Sequence, residues 1–318
     1  MGDTLRTLLS DLARPRREPL EPVAAEWMTH RSGVLRAQVA VVARALQPSW
    51  GPLRVTKDRI SSVLACERSV LAPRNTTPPG PAVVLGRMVD IVAQHHVIAG
   101  SVPPAMAYDI AVDALWADGD AEALAVLADC EDWVRSNLEE HAVRLARELG
   151  PISPAWWPRG ERRAEVHLAD GAVIASARFD LQLGGPGSGR PSVVVEVKSG
   201  GIRAHHHDDA RFYALVAALR DGAAPAAVAT VWTDTGEVAI EPVRDDVLES
   251  AARRLLDATA LLVDLAAGRP ATMRGQSRCY WCALHRGCAE GQRFVDQRPV
   301  DDVAFAVDLD SEDDPGAW

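Results

Sequence analysis

Residues 165–213 read EVHLADGAVIASARFDLQLGGPGSGRPSVVVEVKSGGIRAHHHDDARFY, and this stretch decides the fold. Small and apolar side chains alternate along its first half, which predicts a β-strand that ends at Asp180. The glycine-rich segment 184–189 predicts a tight turn that lets the next strand, 193–198, return beside the first. A helix that carries Tyr213 follows. The stretch therefore predicts two adjacent antiparallel strands and a helix.

Three charged side chains lie where these two strands end. Glu196 and Lys198 are two residues apart, so they project from the same face of their strand, whereas Val197 points into the core. The turn brings Asp180 close to Glu196. Clustered carboxylates bind Mg2+ or Mn2+, and a lysine beside them can orient an attacking water or stabilise developing charge. The same residues also fit an ordinary strand end with a solvated ion pair.

Three motifs in this order, S-A-R-F-D-L, V-V-V-E-V-K-S-G and D-A-R-F-Y-A-L, resemble the RecB-like branch of the PD-(D/E)XK nuclease superfamily. That branch has Gly-Arg-Ile-Asp, an acid-x-Lys and Gln-x-x-x-Tyr; Ala177 and Asp209 replace its Gly and Gln here. The resemblance implies that Asp180 and Glu196 hold metal, that Lys198 assists the water and that Tyr213 supports the substrate phosphate. It also implies an α/β protein with a restriction-endonuclease-like α-β-β-β-α-β core.

The rest of the chain is expected to surround that core. Residues 1–57 are predicted to be an N-terminal helical segment, 58–292 the RecB-like domain, 104–150 a helical insertion within it, and 293–318 an acidic, disordered tail. The insertion has apolar side chains at helical spacing. They are Trp116, Leu124, Leu127, Trp133, Leu138, Leu145 and Leu149. Further strands at 226–232 and 237–242 and a helix over 245–267 are predicted to complete the core.

Histidines and one aspartate add candidate metal ligands. The helix that contains Gly86-x-x-x-Asp90 resembles a family segment in which a histidine helps to hold metal, and Asp90 stands at its position. An aspartate ligates Mg2+ or Mn2+ as well as a histidine does. His95 and His96 on the same helix are interpreted as surface or core residues. In the run 205–207 neighbouring side chains diverge by about 100°, so at most one histidine can face the site.

The cysteines predict a second metal centre. Cys279, Cys282 and Cys288 have the spacing C-x2-C-x5-C, which in a cytoplasmic protein indicates metal rather than disulfides. The family resemblance implies a 4Fe-4S cluster whose fourth ligand is Cys66, and which fastens the N-terminal helices to the C-terminal segment. Tetrahedral zinc, with His285 as a substitute ligand, remains the alternative. Cys130 is interpreted as packing.

Basic and aromatic residues offer contacts for nucleic acid. Trp156 and Trp157 precede Arg159, Arg162 and Arg163, a cluster that can stack bases and neutralise phosphates, although the tryptophans could equally fill the core. Two more arginines near the motifs are candidate phosphate contacts. They are Arg178 and Arg211. The net charge is −10, but the segment 301–318 holds seven acids and no base, so without those acids the charge is −3.

Together these features predict a cytoplasmic DNA nuclease that depends on Mg2+ or Mn2+, an exonuclease that prefers single strands or DNA ends. No apolar run approaches a membrane span, and no membrane partner is expected. The chain lacks a Walker-type phosphate loop, so a helicase or another repair or defence protein would come from another chain. Two alternatives stay open: a nucleic-acid-binding or assembly protein that has kept the fold without turnover, and a zinc-stapled protein with an incidental E-V-K.

Overall fold

A computed structural model describes residues 5–14, 23–73, 79–100, 102–150, 152–203 and 205–297. The side chains of Pro48, Glu161 and Arg162 lie outside this description. The predicted acidic tail, 293–318, falls outside the described residues from position 298 onward.

Six strands of the described chain form one mixed sheet. The strands are β1 (Leu53–Val55), β2 (Arg159–Leu168), β3 (Val173–Gly185), β4 (Arg190–Lys198), β5 (Ala227–Trp232) and β6 (Glu237–Pro242). Their order is β1-β3-β4-β5-β6, and β2 pairs with β3 outside this path. The two strands predicted from residues 165–213 are therefore neighbours in the sheet.

Strand β3 is the centre of this sheet. β2 and β4 pair with it antiparallel, and β1 runs parallel to its first residues. β5 runs parallel to β4, and β6 completes the sheet antiparallel to β5. The β3–β4 turn lies where the glycines predict it: Gly184 has φ +66°, and a Cβ there would overlap the carbonyl oxygen of Pro191, so only glycine fits.

Helices cover both faces of the sheet, which confirms the α/β class. They are α1 (Leu5–Ala13), α2 (Ser32–Ala43), α3 (Lys57–Ala65), α4 (Pro81–Ala99), α5 (Ala107–Asp118), α6 (Ala121–Glu148), α7 (His205–Asp221), α8 (Asp245–Ala266) and α9 (Ala289–Gln297). One core cluster contains side chains of α2, α3, α7 and α8, and the other contains side chains of α1, α4, α5 and α6. Strand residues contribute to both clusters.

The segment 1–57 is not wholly helical, because it contributes β1 to the sheet. Leu53 and Val55 are fully buried, and Arg54 forms an ion pair with Glu165 of β2 at 2.6 Å. The Thr56 hydroxyl accepts a hydrogen bond from the backbone N–H of Arg59 and caps α3. The predicted boundary after residue 57 therefore cuts through a helix that begins at Lys57.

The helical insertion agrees with α5 and α6, but two of its predicted core tryptophans are on the surface. Trp116 is 67% exposed and Trp133 is 46% exposed. The buried face of α6 instead includes Val134 and Leu138. A side chain one position from Val134 is rotated by about 100° around the helix, which turns Trp133 outward.

Helix α4 corrects the expectation that no apolar run approaches a membrane span. Residues Pro81–Ala99 are long and apolar enough to span a bilayer, with a mean hydropathy of 1.3 over 18 residues. Within that window, 44% of the residues are buried inside the protein. Its buried side chains, among them Met88 and Val92, belong to the core cluster shared with α5 and α6. The apolar character of α4 is thus used in packing.

Two neighbouring residues of α5, Leu115 and Trp116, test which face of this helix is buried. Leu115 is 3% exposed, so Leu115→Ala should lower the free energy of unfolding by about 2–5 kcal/mol through lost burial and a cavity. Trp116→Ala should change it by about 0.5 kcal/mol or less, since the indole is mostly in water. Denaturant unfolding of both variants measures the difference. Equal losses would mean that the buried face of α5 is wrongly assigned.

Candidate active site

Asp180 lies where β3 and β4 separate. Their backbone pairing begins at Leu181 opposite Val195, so Asp180 is just outside the ladder. Its Oδ2 accepts a hydrogen bond of 2.7 Å from the backbone N–H of Val197, which fixes the carboxylate beside β4. Side chains of β3 up to Phe179 join one core cluster and those from Leu181 join the other. The Asp180 carboxylate therefore lies at the point where the buried side chains of β3 change from one core cluster to the other.

Glu196 is buried between two lysines. Lys198 Nζ lies 2.7 Å and Lys57 Nζ lies 3.1 Å from the same oxygen, Glu196 Oε1. The side chains of all three residues are no more than 5% exposed. The other oxygen, Oε2, is buried and has no hydrogen-bond partner among the described residues. A buried carboxylate oxygen with free lone pairs is suited to accept a cation.

The environment of this cluster lowers the pKa of the Glu196 carboxyl and raises the pKa of the Asp180 carboxyl. Burial by itself would raise the pKa of Glu196, but the ammonium groups of Lys198 and Lys57 lower it to about 2. Burial raises the pKa of Asp180 well above its usual range, and the carboxylates of Glu196 and Asp90 raise it further. Glu196 is therefore ionised at neutral pH. For Asp180, whose pKa is raised, a bound cation would stabilise the ionised carboxylate.

Helix α4 supplies Asp90 to the same cluster. A Cβ on Gly86 would lie 3.1 Å from the Ser199 hydroxyl, so this glycine lets α4 approach the end of β4 closely. Asp90 follows one helical turn later and is near enough to raise the pKa of Asp180 electrostatically. The sequence prediction that these acids lie close together is thus met by the geometry.

The helical insertion steadies the strand end that carries Lys198. The buried Thr233 donates to the carbonyl oxygen of Lys198 through both its backbone N–H (2.8 Å) and its hydroxyl (3.1 Å). His141 Nδ1 of α6 lies 2.8 Å from that hydroxyl. Because the hydroxyl hydrogen goes to the carbonyl, the imidazole is the donor in this contact. Burial lowers the pKa of His141, which favours the neutral ring.

Helix α7 presents two predicted residues to the site and one away from it. Asp209 and Tyr213 are four residues apart and share a face. The Tyr213 ring is 1% exposed, packs edge-on against Phe179 at 5.4 Å and lies 5.2 Å from Lys57 Nζ. Its position supports packing beneath Lys57 rather than the predicted phosphate contact. Arg211 is about 200° further around the helix.

Arg211 is not placed as a phosphate contact. Its guanidinium binds both carboxylate oxygens of Glu241 on β6 at 2.7–3.0 Å. The Arg211 guanidinium, which the sequence predicts to contact phosphate, is thus held in a partly exposed bidentate ion pair with Glu241. Of the three neighbouring histidines, His206 is buried, and its Nδ1 accepts a 2.9 Å hydrogen bond from Trp232 Nε1.

The remaining basic candidates divide into exposed and undescribed side chains. Arg178 is exposed and lies two residues before Asp180 on the same strand face. Arg162 and Arg163 pair with β3 through their backbones. The Arg163 side chain is exposed, and the Arg162 side chain lies outside the described part of the chain.

The two tryptophans before β2 serve different purposes. Trp156 is 4% exposed and fills the core, with the Arg190 guanidinium 5.0 Å from its ring. Trp157 is 49% exposed, and the Arg159 guanidinium lies 5.1 Å from its ring. The core-filling interpretation therefore holds for Trp156, and base stacking stays a prediction for the exposed Trp157.

A second candidate site gathers four cysteines around one cavity. Cys66, Cys279, Cys282 and Cys288 line it together with His285. Burial raises the pKa of the Cys279 thiol, and the other three thiols raise it further. All five cysteines are within the described residues, and none of them forms a disulfide. Sequence positions more than 200 residues apart thus meet here, as the family resemblance implies.

Polar contacts beside this cavity hold the two chain segments together. Glu67 Oε2 accepts hydrogen bonds from Arg269 at 2.9 Å and from the backbone N–H of Thr272 at 2.8 Å. Arg278 donates to the hydroxyl of Ser62. Backbone N–H groups also point at two thiols: Gln276 donates to Cys279 Sγ and Gly291 to Cys288 Sγ, each at 3.4 Å. Such donors stabilise thiolate sulfur.

The types of ligand at the two sites fit the predicted metals. At neither site do the described ligand side chains converge closely enough to bind a metal ion in their present positions. Among the described residues, no three His, Cys, Asp or Glu side chains are gathered closely enough to hold a metal ion as they stand. In the carboxylate site the lysines occupy Glu196 Oε1, and Oε2 remains for a cation. Carboxylate oxygens suit Mg2+ or Mn2+, and four thiols suit zinc or an iron-sulfur cluster.

Sequence reasoning missed Lys57, although the composition contains a signal for it. Lys57 and Lys198 are the only two lysines in a chain with 34 basic residues. Both contact the same oxygen of Glu196. The rarity of lysine is therefore the sequence signal that points to Lys57.

Comparisons with known proteins leave this geometry as the main guide to function. No protein-family model matches the chain, and no curated protein matches it. A solved structure titled "Crystal structure of SSO0001" is 13% identical, and its match covers 73% of this chain and 93% of that one, with a TM-score of 0.31. A similarity of that size supports no inference about fold or function.

Asp209 should make stability depend on pH. Burial raises its pKa to about 7 from the ordinary value of 3.8. The folded protein holds this proton more tightly than the unfolded chain, so stability from the group is complete below pH 4 and is lost as pH rises through about 7. Asp209→Asn should therefore stabilise the fold at pH 8 by on the order of 2–4 kcal/mol relative to its effect at pH 4. Denaturant titrations at both pH values, without added divalent cation, measure this; an equal effect at both would contradict the raised pKa.

Proposed function

We propose that this protein is a DNA nuclease that depends on Mg2+ or Mn2+ and belongs to the RecB-like type of the PD-(D/E)XK superfamily. The observation that carries the proposal is the convergence of Asp180, Glu196 and Lys198 at the diverging ends of β3 and β4, with Glu196 Oε2 buried and unpartnered within the described structure. The element order from α4 through β2, β3, β4, α7 and β5 agrees with that type of core.

Each residue of the site has a chemical task in this proposal. Asp180, Glu196 and Asp90 would hold the cation, which when bound polarises the phosphoryl oxygen and lowers the pKa of water. Lys198 Nζ would donate hydrogen bonds to the attacking water or to a non-bridging phosphate oxygen. The water oxygen would bond to phosphorus as the water gives up a proton to solvent, and the phosphodiester P–O bond would break with the leaving oxygen taking up a proton from solvent. Asp209 keeps its proton to near neutrality, so it can donate a hydrogen bond as the family's glutamine amide does.

Substrate binding is assigned to basic and aromatic groups on β2, on β3 and in the segment that precedes β2. Arg178 is close to Asp180 along β3, and Trp157 with Arg159 provides an aromatic-basic pair on the surface. Stacked bases and neutralised phosphates suit single strands or DNA ends, which favours an exonuclease. The proposal leaves room for a helicase or another repair or defence protein as partner, in the cytoplasm.

Lys198→Ala should abolish cleavage of end-labelled DNA. Loss of the ammonium removes a donor to the reacting water and phosphate, and we expect activity with Mn2+ or Mg2+ to fall by about 10²-fold or more. Single-stranded and duplex substrates are compared, with Asp180→Asn as a second variant and Arg211→Met as the control that spares the site.

Two results would contradict the nuclease proposal. One is cleavage by Lys198→Ala at the wild-type rate. The other is DNA binding by the wild-type protein, loaded with its cysteine-bound metal, without any cleavage. The second result would support the alternative of a nucleic-acid-binding protein that has kept the fold.

We propose a 4Fe-4S cluster as the occupant of the cysteine cavity, with a structural role. Protein purified without oxygen should contain iron and sulfide, and Cys66→Ser should lose both, along with thermal stability, while Cys130→Ser keeps them. Cys130 is the matched control because its thiol donates to the carbonyl of Val126 in its own helix. Zinc in place of iron in the metal analysis would identify the alternative metal.

A further inference from the structure

Lysine is almost absent from this protein, and its two occurrences are in one place. Of the 34 basic residues, two are lysines and the others are arginines. Lys57 and Lys198 are 141 positions apart in the sequence, yet both ammonium groups contact Glu196 Oε1. A chain that uses arginine at every other basic position has kept lysine where two cations surround one carboxylate.

The two side chains reach Glu196 from different elements. Lys198 is on β4, two residues beyond Glu196, so its position follows from the strand. Lys57 is the first residue of α3, directly after the cap Thr56, and its position follows from the pairing of β1 with β3. The Lys57 side chain is 3% exposed, and its ammonium faces the ring of Tyr213. The contact is therefore made by the tertiary fold and is shielded from solvent.

The size and shape of the cation explain why arginine does not serve here. An ammonium is a compact point charge with rotatable donors, so two of them can approach one oxygen. A guanidinium is planar and presents its donors as a fork, which favours pairing with both oxygens of a carboxylate. Such a pair would occupy Glu196 Oε2, the oxygen that is now buried without a partner in the described structure.

We propose that Lys57 is a positioning residue of the active site: it holds Glu196 Oε1 so that Oε2 faces the cation and Lys198 can turn to the water and phosphate. This inference rests on the proposed nuclease function. When Lys198 leaves Glu196 to meet the substrate, Lys57 keeps Oε1 hydrogen-bonded and its charge neutralised. Without Lys57, Lys198 is needed at Glu196, because a buried carboxylate without a cationic partner is costly.

Lys57→Met separates this role from a structural one. Methionine keeps the unbranched shape and removes the charge. We expect kcat to fall about tenfold or more with little change in KM for DNA, because Lys57 is buried and Lys198 is retained on Glu196. Mn2+ should bind about tenfold more tightly, since a positive charge beside the cation is lost. Titration calorimetry without DNA measures this binding independently of activity.

Two further variants provide controls. Lys57→Arg restores the charge but its guanidinium fork also engages Glu196 Oε2, so Mn2+ affinity should fall below the wild-type value and kcat should stay low. Arg54→Met removes a cation from the same β1–α3 segment, where Arg54 pairs with Glu165 rather than Glu196. It should lower stability and leave Mn2+ affinity and kcat unchanged. Unchanged Mn2+ affinity and kcat in folded Lys57→Met would overturn the proposal.

The scarcity of lysine also permits a direct test on the wild-type protein. Labelling with [13C]lysine gives two side-chain signals by NMR, which Lys57→Arg and Lys198→Arg assign. Paramagnetic Mn2+ at a small fraction of the protein concentration should broaden both signals, and Mg2+ should shift both. Broadening of the Lys198 signal alone would place Lys57 outside the site and overturn the proposal, even where Lys57→Met fails to fold.

Failure of this inference can be told apart from failure of the nuclease function. If Lys198→Ala abolishes cleavage and Lys57→Met behaves as wild type, the enzyme stands and Lys57 has no part in it. If neither the wild-type protein nor any variant cleaves DNA, but Mn2+ broadens both lysine signals, the nuclease function fails and the paired-lysine cation site remains.

Discussion

A buried carboxylate held by two lysines is the interaction on which the rest of this structure depends. Glu196 is withdrawn from water, and its charge is tolerated because Lys57 and Lys198 share its Oε1. Removing either partner would leave a buried charge short of compensation. Strand β4, which carries Glu196, must therefore meet the first residue of α3, and this requirement fixes α3 against the end of β4.

Helix α3 connects this carboxylate cluster with the cysteine cavity. It begins at Lys57 and ends before Cys66, a span of nine residues or about 13 Å. Its first turn thus contributes to the candidate active site, and Cys66, the residue directly after it, lines the second candidate site. Glu67, just beyond it, binds Arg269 and Thr272 from the C-terminal part of the chain.

Helical spacing identified the right elements in the insertion but assigned some of their faces wrongly. Leu138 and Leu145 are buried as their spacing indicates, whereas Trp116 and Trp133 are exposed. A hydrophobic side chain is not obliged to be buried, and a difference of one position rotates it out of the core. The same limit applies to Arg211, whose place on α7 is clear from sequence but whose partner, Glu241, is on a strand 30 residues away.

The sequence by itself determined the local elements and the residues of the strand pair: the alternation before Asp180, the glycine turn and the spacing of Glu196 and Lys198 are all short-range features with a fixed period. Residue type and spacing also indicated a metal site at Cys279, Cys282 and Cys288, and the family resemblance implied that Cys66 completes it. The family resemblance named Asp90 as a ligand, but only the tertiary structure decided how α4 brings it to Asp180, that Lys57 joins Glu196 and that Tyr213 packs beneath Lys57. Those contacts depend on the pairing of a three-residue strand, β1, and on the close approach of α4 at Gly86, and neither leaves a periodic signal in the sequence.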